Sequence, residues 1–211
     1  MKKIILPLSA FIVLISCGSP DKTSDVNGNI AIKAPENTKE SNITTKYSIK
    51  SDDKNKLKWT GSAVGKSHYG SVGFDGYLNI ENGVLKSGEI TFDLTSISSE
   101  DLEGDWKKKL DNHLKDTAFF FTDKYPTASL KITKFDGSNI TGDLSIKDVT
   151  KEIIFPATVS VSDSVFVSTS SFTIDRTEYG IVYASANFFD LAKDKVISDD
   201  ITFDVSINTK K

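Results

Sequence analysis

Period-two alternation of apolar and polar residues dominates the chain beyond residue 46. Ile90, Phe92 and Leu94 alternate with Thr91 and Asp93, and Leu130 and Ile132 with Lys131 and Thr133. Leu144 and Ile146 alternate with Ser145 and Lys147, and Phe172 and Ile174 with Thr173 and Asp175. Near the end, Phe203, Val205 and Ile207 alternate with Thr202, Asp204 and Ser206. Each run predicts a strand with one apolar face and one wet face. Asn82-Gly83 and Asp136-Gly137 fall between runs and suit tight hairpins. The even spacing predicts about eight to ten antiparallel strands in one all-β sandwich or barrel.

One stretch has a different period. In SSEDLEGDWKKKLDNHLKD, Leu102, Trp106, Leu110 and Leu114 recur every four residues, which predicts an amphipathic helix with one apolar stripe. Ser98 or Ser99 would cap it, and Glu100, Asp101 and Glu103 would face the positive end of its dipole. The helix is expected to lie across the sheet or over a barrel mouth, with Lys107, Lys108 and Lys109 on the solvated side or toward its C-terminal half. Directly after it come three adjacent rings, Phe119, Phe120 and Phe121. A regular strand or helix would point at least one of them away from its apolar face. Irregular backbone at the return to the sheet is therefore expected there, with the rings pointing inward.

The first residues read MKKIILPLSAFIVLISC. Lys2 and Lys3 precede an apolar run from Ile4 to Ile15, too short for a membrane span and suited to a secretory signal. The run ends Leu14-Ile15-Ser16-Cys17, which resembles a bacterial lipobox. That resemblance implies a signal over residues 1–16 and acylation at Cys17, so that the membrane is reached through lipid chains. Gly18-Ser19 lacks the acid that marks inner-membrane retention in some bacteria. This favours the outer membrane, with the protein facing the periplasm. Residues 17–46 are polar and are read as a flexible tether, the alternative being a short strand over 29–33; the folded domain is then 47–211.

Composition narrows the chemistry. Cys17 is the only cysteine, so stability must come from an apolar core rather than internal disulfides. Losing Lys2 and Lys3 with the signal takes the formal net charge from −3 to −5, and no basic stripe invites nucleic acid. Two histidines and one cysteine do not make a zinc cluster, and there is no G-x-S-x-G elbow. No catalytic residue, metal site or cofactor is assigned. Asp199-Asp200 is read as solvated charge on opposite faces of a strand, and His68 and His113 as hydrogen-bonders rather than bases. What stands out is the supply of aromatics, which an eight-stranded barrel can use to fill its interior or to line a cavity for one ligand.

Four ordered stretches resemble the YceI-like family of polyisoprenoid-binding proteins. Trp59-Thr60-Gly61 with Gly65-Lys66-Ser67-His68-Tyr69-Gly70 is the first. Leu110 to Lys115, Phe119-Phe120 and Lys124 to Ala128 form the second. The third is Ile140 to Lys151, with Asp148 where the family has glycine, and the fourth is Ile174 to Ile181. The resemblance implies an eight-stranded antiparallel lipocalin-like barrel with one inserted helix and an apolar interior. It implies binding of a long isoprenoid or similar fatty-acyl lipid without catalysis, and possible homodimers. On this basis Trp59, Phe92, Phe119, Phe120 and Phe188 are assigned to the apolar wall, and His68, Arg176 and Tyr179 to the polar end of the ligand. The alternative function is a structural or stress-response envelope protein whose barrel is filled by its own rings.

Overall fold

The computed structural model describes residues 43–162 and 164–211. The expected signal, Cys17, the tether and the alternative strand over 29–33 lie outside the described residues, save that the assigned tether boundary is crossed by the first strand. That strand, β1, runs Thr44–Lys50, so pairing begins before Tyr47. The other strands are β2 (Lys56–Ala63), β3 (Lys66–Glu81), β4 (Val84–Ser99), β5 (Thr127–Phe135) and β6 (Asn139–Ile146). They continue with β7 (Val149–Pro156), β8 (Thr158–Val161), β9 (Val165–Asp175) and β10 (Ile197–Lys210). Helix α1 spans Gly104–Lys115 between β4 and β5.

All pairings are antiparallel and run β7-β6-β5-β4-β3-β2-β10-β9-β8, with β1 also on β3. The resemblance implies eight strands; among the described residues there are ten, because two of the eight positions are interrupted. β1 and β2 pair in succession with the two halves of β3, Lys50 opposite Asp75 and Lys58 opposite Ser71. β7 and β8 are joined through Ala157, β7 pairing with β6 and β8 with β9. The two ends of the curled sheet are thus parts of one bent strand, which curls the sheet into a half-barrel. Phe155 of β7 stacks on Phe172 of β9 with centroids 4.4 Å apart, and Ser170 Oγ donates to the Pro156 carbonyl at 2.6 Å.

The alternating runs read from the sequence all lie in strands, and their apolar members face inward. The Asn82-Gly83 turn has positive φ at both residues (50° and 79°), as a two-residue hairpin of the favoured hand requires. At the 147–148 turn the positive φ falls on Lys147 (55°), so Asp148 is spared the left-handed backbone that a glycine at its position would suggest. The Asp148 carboxylate instead accepts the Tyr125 hydroxyl.

The helix is shorter than its sequence stripe. Ser98 and Ser99 remain in β4, and Glu103 occupies the N-cap position without a side-chain cap bond. The serines bind the helix from the side: Asp111 accepts the Ser99 N–H at 2.7 Å, its Oγ at 2.8 Å and Ser98 Oγ at 3.2 Å. Lys107 is drawn into the same cluster, 3.2 Å from Asp111, rather than pointing to solvent. Leu114 is buried and Leu110 packs on the core, but Trp106, the stripe's outer member, is 70% exposed.

The three rings are parted by one residue. Phe121 has φ 52°, a left-handed turn that sends Phe119 and Phe120 into the core and Phe121 against Tyr125. The same turn closes the helix, whose last carbonyls would otherwise lack donors. Leu114 O accepts Phe120 N–H at 3.1 Å and Lys115 O accepts Thr122 N–H at 3.0 Å.

Asp111 is the main polar tie between helix and sheet. Burial pushes its carboxyl up, but the hydrogen bonds from Ser99 and the charge of Lys107 outweigh that and hold it below its usual value. Asp111→Ala leaves the fully buried Ser99 N–H without its acceptor and is expected to cost about 2–3 kcal/mol in urea unfolding. Because the folded value is depressed, the contribution is present above about pH 4 and fades as the pH falls further, so wild type and variant should converge in acid.

Candidate functional site

The curled sheet does not fill its interior. A cavity of about 690 Å³ lies at the end bounded by the β2–β3 hairpin, helix α1 and the segment 181–196. Its sheet wall is apolar, with Leu57, Trp59, Phe92, Leu144, Phe172 and Phe203 among the lining residues. A smaller void of about 70 Å³ lies deeper, and Leu57, Phe92 and Phe172 border both, so they form the partition between them.

Local sequence explains why the wall stays apolar and open. Trp59 sits opposite Gly70 in the β2–β3 ladder. A Cβ at Gly70 would lie 2.7 Å from the indole ring and 1.9 Å from the Ser98 carbonyl oxygen, so glycine makes room for both. The indole N–H donates to the Ser71 carbonyl at 3.2 Å, leaving an apolar ring face to the cavity. Phe119 and Phe120 complete the wall beneath the helix, and His113 joins them, with ring centroids 5.3 Å from Phe119 and 4.6 Å from Tyr183.

Segment 181–196 crosses the mouth as a lid between the 3₁₀ turn Arg176–Tyr179 and β10. Tyr183, Phe189, Leu191 and Val196 line the cavity from it. Both its ends are held by Arg176, which is 1% exposed. Its Nη1 donates to Ile181 O at 2.5 Å, Nη2 to Ile197 O at 3.1 Å and Nε to Ser198 O at 2.9 Å. Nη2 also pairs with Asp199 at 3.1 Å, and the guanidinium lies 5.5 Å from the Phe119 ring centre. Asp199 then accepts Ser185 Oγ and Asn187 Nδ2 of the lid, each at 2.8 Å. Burial pulls the guanidinium pKa below its usual value, and the carboxylates of Asp199 and Asp175 oppose that pull.

Six of the eight ligand residues assigned from sequence border the cavity: Trp59, His68, Phe92, Phe119, Phe120 and Arg176. His68 is at the mouth, its Nδ1 2.7 Å from Asp101. Burial pushes the Asp101 carboxyl up, but the bonds from His68 and the Tyr69 N–H win and hold it low. Arg176 borders the cavity too, with four of its five N–H donors engaged by the lid ends and Asp199, so it acts as a clamp on the lid. Tyr179 is a correction: it is 1% exposed, lies outside the cavity lining, and its hydroxyl has no protein partner among the described residues. Phe188 is a second correction, being 55% exposed, while its neighbour Phe189 lines the cavity. Asp199 is a third, since it is paired with Arg176 rather than solvated. The sequence reading missed His113, Tyr183 and Phe189 as lining residues. Among the described residues no group of three or more His, Cys, Asp or Glu side chains could hold a metal ion.

A curled antiparallel sheet over one apolar chamber, with a helix and a lid at the mouth, defines the lipocalin-like class of fold. The chain belongs to the YceI-like domain family, whose model matches residues 20–209. Among solved structures, Burkholderia cenocepacia BcnA is similar at 17% identity and TM-score 0.59, over 74% of this chain and 96% of that one. A Saccharophagus degradans domain described as polyisoprenoid binding, and as implicated in plant cell wall breakdown, matches at 13% identity and TM-score 0.58, over 79% and 99%. A variant of the Campylobacter jejuni YceI protein matches at 20% identity and TM-score 0.52, over 65% and 81%. At these identities the likeness is one of fold. Comparison with the curated proteins gives no match.

Arg176→Met is expected to strand Asp199 as an unpaired, mostly buried charge and to cost about 3–5 kcal/mol in chemical denaturation. Amide exchange across 181–198 should accelerate ahead of the β3–β4 ladder; uniform exchange rates would contradict the clamp.

Proposed function

We propose that this chain is an envelope lipoprotein, anchored through Cys17, whose barrel holds or carries the tail of an isoprenoid-type or fatty-acyl lipid. The observation that supports this most is the apolar cavity of about 690 Å³, a size typical of ligand sites. The description of the Saccharophagus relative as polyisoprenoid binding agrees with it. The alternative, a barrel filled by its own rings, fits poorly with that volume, because the aromatics line the space rather than close it.

The volume also limits the ligand. The chamber is open at its mouth, so it bounds the enclosed part of a tail rather than the whole ligand. A forty-carbon tail would extend through the mouth or would have to push past Phe172 into the deeper void. Each buried CH₂ gains about 0.8 kcal/mol against water but little against a bilayer core, which is as apolar as the barrel. Net transfer from membrane is therefore close to balanced, as a carrier requires. His68 with Asp101, beside Lys66, is the polar group best placed for a head group. The chemistry proposed is binding, with no nucleophile–base pair assigned and no cofactor needed.

Native mass spectrometry of the protein purified without detergent from a bacterial envelope should show one lipid per chain. Ala128→Phe, which places a ring inside the cavity wall, should abolish that species while the fold is retained. An empty wild-type protein that also refuses added prenols would overturn the reading.

A further inference from the structure

We infer that the rim of the cavity is a docking surface for a lipid bilayer, entered by Trp106 and the lid tip Phe188-Phe189. The inference rests on the lipid-tail reading of the cavity and adds the place where the lipid would cross.

Three large rings on the helix and lid that bound the mouth are open to solvent: Trp106 at 70%, Phe188 at 55% and Phe189 at 48% exposure. They come from two elements that meet at the His113–Tyr183 ring contact of 4.6 Å. Trp106 lies on the same helical stripe as Leu110 and His113, so it extends the cavity-facing apolar stripe beyond the barrel rim. The lid presents its tip through a tight turn in which both Phe188 and Phe189 donate their N–H groups to the Ser185 carbonyl. That turn is pinned below by Asp199, so the rings are held outward.

Exposed aromatics backed by lysine suit a membrane interface. Lys109 Nζ lies 4.8 Å over the Trp106 ring, a pairing in which the stem covers apolar surface and the ammonium stays at head-group level. A water-insoluble tail reaching the cavity must leave one apolar phase for another, and a rim that touches the bilayer spares it the aqueous step. The chain outside the described residues has the reach to allow this. It joins the barrel at Ile43, whose N–H donates to Asn82 Oδ1 in the β3–β4 hairpin, at the end away from the mouth. β3 is 16 residues long, about 50 Å. The roughly 25 residues between Cys17 and Ile43 span at most about 85 Å when extended, so an anchor at Cys17 does not prevent the mouth from turning to the membrane.

Acidic groups surround the rings as well: Asp105 lies 4.0 Å from Lys108 and Asp194 3.5 Å from Lys195. Over 104–115 and 181–196 six lysines stand against four aspartates, a small formal excess of +2, so on a neutral bilayer the rings rather than charge carry the attachment. It should therefore respond weakly to salt.

The chain has two tryptophans, and Trp59 stands on the cavity wall where a brominated tail would quench it, so Trp106 is read in a Trp59→Phe background. The full chain, with its N-terminal segment, would be mixed with phosphatidylcholine vesicles whose acyl chains carry bromine, and the floated fraction examined by fluorescence. The expected result is quenching of Trp106, nearly unchanged between low salt and about 0.5 M. Phe188→Ser with Phe189→Ser should lower the docked fraction at least about tenfold, with circular dichroism unchanged. Floated protein whose Trp106 stays unquenched and open to iodide overturns the inference, as does failure to float. Protection of Trp106 without bromine quenching, together with a doubled mass, assigns the surface to a second copy and equally overturns it. Lipid retention by mass spectrometry is read separately: protein that holds a lipid while Trp106 stays in water refutes docking alone.

Discussion

The buried guanidinium of Arg176 is the constraint on which the site depends. Taking such an ion out of water costs several kcal/mol, and it is tolerated only with close partners. Three backbone carbonyls and Asp199 supply them. The carbonyls belong to residues 181, 197 and 198, at the two ends of the lid, so satisfying one cation fixes where a sixteen-residue segment leaves and rejoins the barrel. Asp199 passes the constraint to Ser185 and Asn187 within the lid, and the Phe119 ring below ties it to the helix return. Within the lid Ile181 is buried and Tyr183 packs on His113, while Phe189, Leu191 and Val196 border the open cavity, so the Arg176 cluster is what fixes both ends.

The barrel tolerates that space because its stability is gathered elsewhere. The long β3 and β4 strands pair along most of their length, and the deeper half packs around Tyr47, Leu78, Leu85 and Phe166. Around the upper cavity, large rings stand on the wall beside small residues such as Gly61, Ala63 and Ala128, which leave room between them. The bent strand through Ala157 joins the ends of the sheet and keeps the curl without a complete ladder between β7 and β9. A hollow with an apolar lining, close to the membrane-facing chemistry proposed for its rim, is consistent with a protein that exchanges a tail rather than locking it in place.

Much of the fold was legible in the sequence because strand alternation depends only on neighbours along one segment. Phe92, Leu130, Leu144 and Phe172 fall where their period places them. The Asn82-Gly83 turn is equally local. Legibility fails where long-range contacts decide. Ser98 and Ser99 have the chemistry of helix caps, but pairing with β3 keeps them in the sheet and they bind Asp111 instead. Trp106 fits its stripe and yet overhangs the barrel edge, which no periodicity reports. In the lid there is no period to read, so Phe188 and Phe189 exchange roles by one residue. Arg176 stands out in its motif, but only the structure shows its donors turned to carbonyls, and nothing in the sequence sets Tyr179 apart from the cavity.

The claim that the barrel is a measured container for a lipid tail is tested most directly by calorimetric titration of the protein with a series of prenols from about 10 to about 40 carbons. Affinity should rise with each added unit while the chain stays inside the chamber and then level off, with a negative heat-capacity change as apolar surface is buried. Absence of saturable uptake at every length would contradict it.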